Sequence, residues 1–199
     1  MTLIKKKLAK SCVGIAGCGG LGSNCAMALA RVGVGKLVIV DFDAVQESNL
    51  NRQYYFRDQL GQKKVAALRE NIRRIDPGIR VEAHDLKLDA AGVTRVFAPC
   101  RVIVEAFDQA EMKRMLIETV LDEMPEKFVV AGSGLAGWGQ NNALHTRRSG
   151  NLFICGDESR EVSNALPPLA PRVGIVANLQ ANQVLEILLG EPTTHKKNK

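Results

Sequence analysis

Residues 13–22 read VGIAGCGGLG, and this stretch decides the fold. Val13 to Ala16 are an apolar run of strand length. Gly17, Gly19 and Gly22 then fit G-x-G-x-x-G, with Gly20 inside the pattern. Cys25, Ala28, Leu29 and Val32 follow at i, i+3, i+4 and i+7, the spacing of one helix face. A strand, a glycine turn and a helix in that order offer unpaired backbone N–H groups to an anion, and the glycines let phosphate approach the chain closely. KLVIVD at 36–41 is a second apolar strand, and it ends in Asp41, where a carboxylate accepts hydrogen bonds from ribose hydroxyls. Strand, turn, helix, strand and acid together specify a nucleotide site.

The alternation continues along the chain. Val65, Leu68, Ile72 and Ile75 mark the inner stripe of a helix that Pro77-Gly78 ends, before a strand at Ile79 to Ala83. A short helix is predicted over 89–97, a strand over Arg101 to Ala106, a helix over Glu111 to Glu123 and a strand over Phe128 to Ala131. Beyond Gly132 the texture turns glycine-rich. Ala143 to Thr146 and Asn151 to Cys155 flank Ser149-Gly150 as a hairpin, and residues 156–171 show no periodicity and read as a mobile loop. After Pro171 a last helix carries Val173, Val176, Ala177, Val184, Ile187 and Leu188 and stops at Gly190. The expected class is α/β: a Rossmann-like, mostly parallel sheet flanked by helices, with a C-terminal hairpin and a final helix. One domain at 11–190 lies between a basic segment at 1–10 and a basic tail at 191–199.

Composition excludes several classes. The 199 residues are 46% hydrophobic, enough for one buried core. The net charge of +6 belongs to the ends: residues 1–10 and 191–199 hold seven of the 27 basic side chains and one of the 21 acidic ones, leaving 20 of each in the body. Neither end interleaves aromatics with its lysines, which argues against nucleic acid and for a solubility role. Cys12, Cys18, Cys25, Cys100 and Cys155 are odd in number and never spaced C-x-x-C, as expected of reduced cytoplasmic thiols rather than a zinc site. No cleavable signal and no apolar run of membrane-spanning length is present, so no membrane role is expected. His84, His145 and His195 are scattered and suggest no metal.

The glycine turn alone does not separate ATP from a dinucleotide. The segment DFDAVQESNLNRQYYF at 41–56 packs Asp41, Asp43, Asn49, Asn51, Arg52 and Gln53 into a stretch with no clean period, and Gly61, Lys63 and Lys64 follow at a helix start. Cations there oppose the helix dipole unless an anion sits beside them, and a triphosphate is such an anion; Arg52 and Lys64 as solvated surface charges are the alternative. Asp108 falls just past the fourth strand in VIVEAFDQA, where an open α/β sheet holds its ligands, and a lone carboxylate there suits magnesium or caps the next helix.

On GCGGLG (17–22), DFDAVQESNLNRQ (41–53), GQKK (61–64), AFD (106–108) and APRVGIVANLQANQVLEILLG (170–190), the chain resembles the ThiF/MoeB/HesA family, bacterial relatives of ubiquitin-activating enzymes. The likeness spans about residues 12–190 and is nearest to a short, zinc-free ThiF type of thiamin biosynthesis. It implies ATP and magnesium as cofactors, adenylation of the C-terminal glycine of a small ubiquitin-like sulfur-carrier protein, and a homodimer. It implies that Gly17, Gly19, Gly20 and Gly22 cradle the nucleotide, Asp41 holds the ribose, Arg52 and Lys64 hold the phosphates and Asp108 the metal, with Asp43, Asn49 and Gln53 in support. Arg52, Lys64 and Asp108 are then the catalytic set. The chain departs from the pattern in having no arginine before Arg31, for which Lys5 to Lys7 or Lys10 are the substitutes, and no zinc-binding cysteine pairs. Cys155, in NLFICGD, reads as a buried strand cysteine with a thiol role as its rival. Three other readings stand beside this one: a tRNA threonylcarbamoyladenosine dehydratase-like enzyme that activates a tRNA carboxylate, an NAD-dependent oxidoreductase, and a non-enzyme that is the nucleotide-free half of a heterodimer or a scaffold.

Overall fold

The computed structural model describes residues 2–190, so the basic tail at 191–199 lies outside the described residues. The elements run α1 (Leu3–Ala9), β1 (Cys12–Ala16), α2 (Gly20–Arg31), β2 (Lys36–Asp41), α3 (Lys64–Ile75), β3 (Arg80–Asp85), α4 (Ala90–Phe97), β4 (Val102–Glu105), α5 (Ala110–Glu123), β5 (Phe128–Ser133), β6 (His145–Ser149), β7 (Leu152–Gly156) and α6 (Ala170–Leu189). They form one sheet in the order β3-β2-β1-β4-β5-β7-β6. β1 to β5 are mutually parallel, β7 adds parallel to β5, and only β6 runs antiparallel, as the outer arm of the expected hairpin.

The central strands are buried on both faces because helices cover both. One core packs α2, α3 and α6 against Val13, Ile15, Leu37 and Ile39; the other packs α4 and α5 against Val38, Val40, Ile103 and Val129. The edge strands β3 and β6 are correspondingly polar and partly exposed. Chain order reverses at β1, which has β2 on one side and β4 on the other. Such a switch point opens a crevice beyond the carboxyl ends of the two strands, and it is where nucleotides bind in doubly wound sheets.

Two differences from the sequence reading have clear causes. α1 has no amphipathic stripe, since Leu3 and Ile4 are exposed and only Leu8 is buried, so the basic segment gives no periodic signal. The stretch at 156–171, read as mobile, is a loop only over 157–169 and is fastened at its start: Asp157 accepts hydrogen bonds from the Ser159 and Arg160 amides at 3.0 Å each and forms a buried ion pair with Arg172 of α6. That guanidinium also donates to the carbonyls of Gly139 and Gly134, tying the glycine-rich segment to the same helix.

Candidate nucleotide site

The glycine turn closes between β1 and α2. Gly17 has φ +95°, and a Cβ there would lie 2.7 Å from the carbonyl of Ala106, so the loops after β1 and β4 meet across the switch point. A Cβ at Gly22 would lie 1.8 Å from the Gly17 carbonyl, which leaves glycine alone at both positions. Gly19 is the N-cap of α2 and makes no side-chain capping bond, so the first amides of the helix have no side-chain acceptor. Tyr55, buried, braces the turn by donating its hydroxyl to the Cys18 carbonyl at 2.7 Å.

Asp41 ends β2 beside the turn. One carboxylate oxygen accepts from the Cys18 amide at 2.7 Å and the other from the Asp43 amide at 2.8 Å. Each oxygen keeps a second lone pair, so the acid shapes the turn and still has capacity to accept from hydroxyls. Lys64, at the first position of α3 and only 6% exposed, places its ammonium 2.7 Å from the Asp43 carboxylate. Lys63 pairs likewise with Asp85 at 3.1 Å. The conflict between these cations and the helix dipole is thus met within the chain by two acids, and no triphosphate is needed to relieve it.

The segment after β2 delivers the remaining groups. Asn49 is buried and its carbonyl oxygen accepts from the Gln46 amide at 3.0 Å; it caps a short 3-10 turn and acts on the site through that turn. Asn24 of α2 donates to the carbonyls of Arg52 (2.9 Å) and Gly20 (2.7 Å) and so pins the segment to the glycine turn. The Arg52 stem passes 3.7 Å from where a Gly20 Cβ would be, and its guanidinium folds back onto the Ser48 carbonyl and the Asn51 side chain. Gln53 is 9% exposed, its amide nitrogen lies 3.9 Å from the Cβ position of Gly19, and its carbonyl oxygen is buried with no hydrogen-bond partner. A buried, orphaned acceptor against a glycine turn costs stability unless a ligand donor fills it.

Gly17, Gly19, Gly20, Gly22, Asp41, Asp43, Arg52, Gln53 and Lys64 therefore meet around one turn. Asp108 is exposed and follows Phe107, whose ring lies 3.3 Å from the Gly17 Cβ position. It does not cap α5, which takes Gln109 as its N-cap. Among the described residues no three histidine, cysteine or acidic side chains cluster as a metal-ligand set; Asp108 would offer magnesium one carboxylate, which is what that ion needs when phosphates and water complete its shell. The sequence gives no sign of the group beneath it: Glu105, fully buried at the end of β4, accepts from the Phe107 amide at 2.8 Å and pairs with Lys113 of α5. Burial pushes the Glu105 carboxyl up, and Lys113 only partly offsets this. α1 sits at the opposite, amino-terminal end of β1 and β2, where the Gly35 amide donates to the Leu8 carbonyl, so Lys5 to Lys7 and Lys10 stand away from their own chain's glycine turn. Cys155 is fully buried in β7, and burial raises its thiol above the usual range, in keeping with a structural cysteine.

The chain is 30% identical over 198 residues to an adenylyltransferase and sulfurtransferase MOCS3 of Caenorhabditis briggsae, covering 96% of this chain and 48% of that protein. It is 28% identical to a molybdopterin-synthase adenylyltransferase of Salmonella typhimurium, over 92% of this chain and 75% of that one. A UBA4 adenylyltransferase and sulfurtransferase of Eremothecium gossypii is 32% identical over 92% of this chain and 39% of its own length, so the chain spans about half or less of its longer relatives. Among solved structures, the E. coli tRNA N6-threonylcarbamoyladenosine dehydratase TcdA in complex with AMP superposes with a TM-score of 0.84 at 20% identity, over 94% of this chain and 89% of that one, a likeness of fold. No helix among the described residues is long and apolar enough to cross a membrane. The profile of the ThiF family matches residues 3–199, and the chain belongs to that family.

Proposed function

We propose that the chain binds ATP at the glycine turn and adenylates a carboxylate, the C-terminal glycine of a small ubiquitin-like sulfur-carrier protein, releasing pyrophosphate. The observation that carries this reading is a buried, unpartnered acceptor, Gln53, set against a glycine turn whose helix start has no side-chain cap; Arg52, now on Ser48 and Asn51, and Lys64, now on Asp43, are the cations this reading assigns to the phosphates. A nicotinamide dinucleotide gives the two cations no triphosphate to hold, and a scaffold has no use for the cradle.

In the reaction the carrier carboxylate attacks the α-phosphorus and pyrophosphate leaves, so negative charge grows on the bridging and terminal oxygens. Lys64 and Arg52 stabilise that charge, and the first amides of α2 bind the phosphate. Asp41 orients the ribose through the lone pairs it does not spend on Cys18 and Asp43. Asp108 would hold magnesium, which would supply further positive charge to the phosphates. No protein nucleophile or base is required; catalysis is positioning plus electrostatics.

The thiamin pathway with a ThiS-like carrier is the expectation from the resemblance, while the relatives' names favour molybdopterin synthase or a UBA4-type system. A second reading, activation of a carboxylate on a tRNA nucleoside, has the support of the near full-length superposition on TcdA. The five free cysteines suit a cytoplasmic setting, and the exposed apolar side chains of Trp138, Leu169 and Ile175 suit burial in a homodimer. Exchange of labelled pyrophosphate into ATP tests the proposal: dependence on a carrier ending in Gly-Gly supports it, dependence on tRNA alone supports the second reading, and exchange with neither removes both.

A further inference from the structure

Cys12 opens β1, and Cys100 lies just before β4, the strand paired with β1 in parallel. Their sulfur atoms are 3.6 Å apart although the residues stand 88 positions apart in the chain. Cys100 is buried, while Cys12 is half-buried and open to solvent. Two cations approach from either side: Lys127 donates its ammonium to the Cys100 carbonyl at 2.8 Å, and Lys36 neighbours Cys12 at the start of β2 while pairing with Glu82 at 2.7 Å. The other three thiols are fully buried. The pair sits at the amino ends of its strands, the opposite end of the sheet from the glycine turn, so the nucleotide reaction does not use it.

We propose that Cys12 and Cys100 are a redox-active dithiol that closes to a disulfide when the protein meets a peroxide. Cys12, as thiolate, attacks the nearer peroxide oxygen, breaking the O–O bond and forming a sulfenic acid with loss of hydroxide. Cys100 then attacks the Cys12 sulfur, the S–S bond forms, and the sulfenic oxygen leaves as water with the Cys100 proton. Two thiols are oxidised, one peroxide is reduced, and two waters result overall. Sulfur atoms 3.6 Å apart on paired strands have about 1.5 Å to close to reach a bond of about 2.05 Å. The environment suits the order of events: the hydrogen bond from Cys100 holds the Cys12 thiol below the usual thiol range, Lys36 and Lys127 add to this against burial and Glu82, and the Cys100 thiol is raised. The thiolate that reacts first is thus the accessible one.

The test treats the native protein with hydrogen peroxide, alkylates the remaining thiols under denaturing conditions and reads the intact mass. The expected product has lost two hydrogen atoms, shows Cys12 and Cys100 protected from alkylation in tandem mass spectra, and reverts with dithiothreitol. It unfolds at a higher temperature than the reduced form, because the bridge closes a long loop in the unfolded chain. Cys12→Ser and Cys100→Ser each abolish the loss of two hydrogens, and Cys25→Ala retains it. An unchanged wild-type mass, a product that stops at Cys12 with oxygen added, or a disulfide that persists in Cys100→Ser overturns the proposal. The wild-type reading stands whether or not the variants fold.

Discussion

Lys64 and Asp43 hold each other twice, through the ammonium and carboxylate at 2.7 Å and through the Lys64 amide and Asp43 carbonyl at 2.9 Å. The two ends of the ion pair differ in setting. The Lys64 side chain is 7% exposed and the Asp43 side chain 50%, so the carboxylate can turn to water while the ammonium stays. A pair with one solvated partner contributes at most about 1 kcal/mol. On the proposed reading a triphosphate, with more charge and more acceptors, would displace Asp43 at little cost, the pair keeping Lys64 oriented until then.

Lys64→Met is therefore expected to lower kcat/KM for pyrophosphate exchange by about 100-fold or more, the usual loss when one donor to developing charge is removed. Asp43→Asn frees the ammonium and should leave ATP affinity equal or tighter. An exchange rate in Lys64→Met within fivefold of wild type, on the order of 1 kcal/mol, removes Lys64 from the phosphate site.

Gln53 gives a test with two readouts. Gln53→Met keeps the volume and removes the orphaned oxygen, so the nucleotide-free protein gains stability, by about 1 kcal/mol in a urea titration. The same change removes an acceptor for the ligand, so ATP binding by calorimetry weakens. Stabilisation without weakened binding would mean that the orphan faces no ligand.

How much of this was legible in the sequence follows from what kind of interaction makes each part. β1, α2, β2 and the glycine turn announce themselves because apolar period and glycine spacing are local properties; Asp41 falls at the end of the second strand, and Lys64 at the start of the next helix. The pairings are another matter. Nothing in VIVEAFD marks Glu105 as buried or Lys113 as its partner on the next helix, and nothing in the loop before α6 marks Asp157 as the anchor for Arg172. Lys64 reads from the sequence as a candidate phosphate ligand, but nothing there marks it as the partner of Asp43, since that contact needs β2 and α3 to be side by side. The guanidinium of Arg52, read as a phosphate ligand, lies instead on Ser48 and Asn51, and has to swing away from them to reach a phosphate.

That swing is itself testable. Asn51→Ala removes one of the two acceptors that hold the Arg52 guanidinium, so Arg52 reaches the phosphate at lower cost and KM for ATP falls, by about two- to fivefold for one exposed hydrogen bond. Arg52→Ala loses exchange by orders of magnitude, and adding Asn51→Ala to it changes nothing further. An Asn51→Ala effect that survives in the Arg52→Ala background would show that Asn51 acts by another route.

Glu105 and Lys113 support the turn that carries Asp108. Removing the lysine leaves a buried carboxylate uncompensated, so Lys113→Met should cost about 3–5 kcal/mol, and Glu105→Gln combined with Lys113→Met much less. The pH dependence has a fixed sign. Burial raises the folded Glu105 pKa above its unfolded value, so its penalty is absent below the unfolded pKa and complete above the folded one. Lys113→Met widens that gap, so its deficit in urea midpoint against wild type shrinks as pH falls from 7 into the acid range. A deficit that is constant with pH would place its origin in packing rather than charge.

Asp157 responds in the opposite direction. Burial alone would raise its carboxyl, but the Ser159 and Arg160 amides and the Arg172 guanidinium outweigh burial and hold it below the usual carboxylate range. A depressed folded pKa gives stability that is present above the unfolded pKa and lost as pH falls through the folded one. Asp157→Asn should thus destabilise the protein at pH 7 by about 3 kcal/mol, leaving Arg172 buried without its acid, and the difference from wild type should close toward the acid limit. The loss is local before it is global, because Asp157 is the clamp at the start of the 157–169 loop and Arg160 within that loop donates to the Trp138 carbonyl at 2.8 Å. Trypsin at pH 8 should cut Asp157→Asn after Arg160 well before it cuts wild type there. Equal cleavage of the two proteins at that bond would mean that the Arg172 contacts to Gly134 and Gly139 hold the loop without the acid.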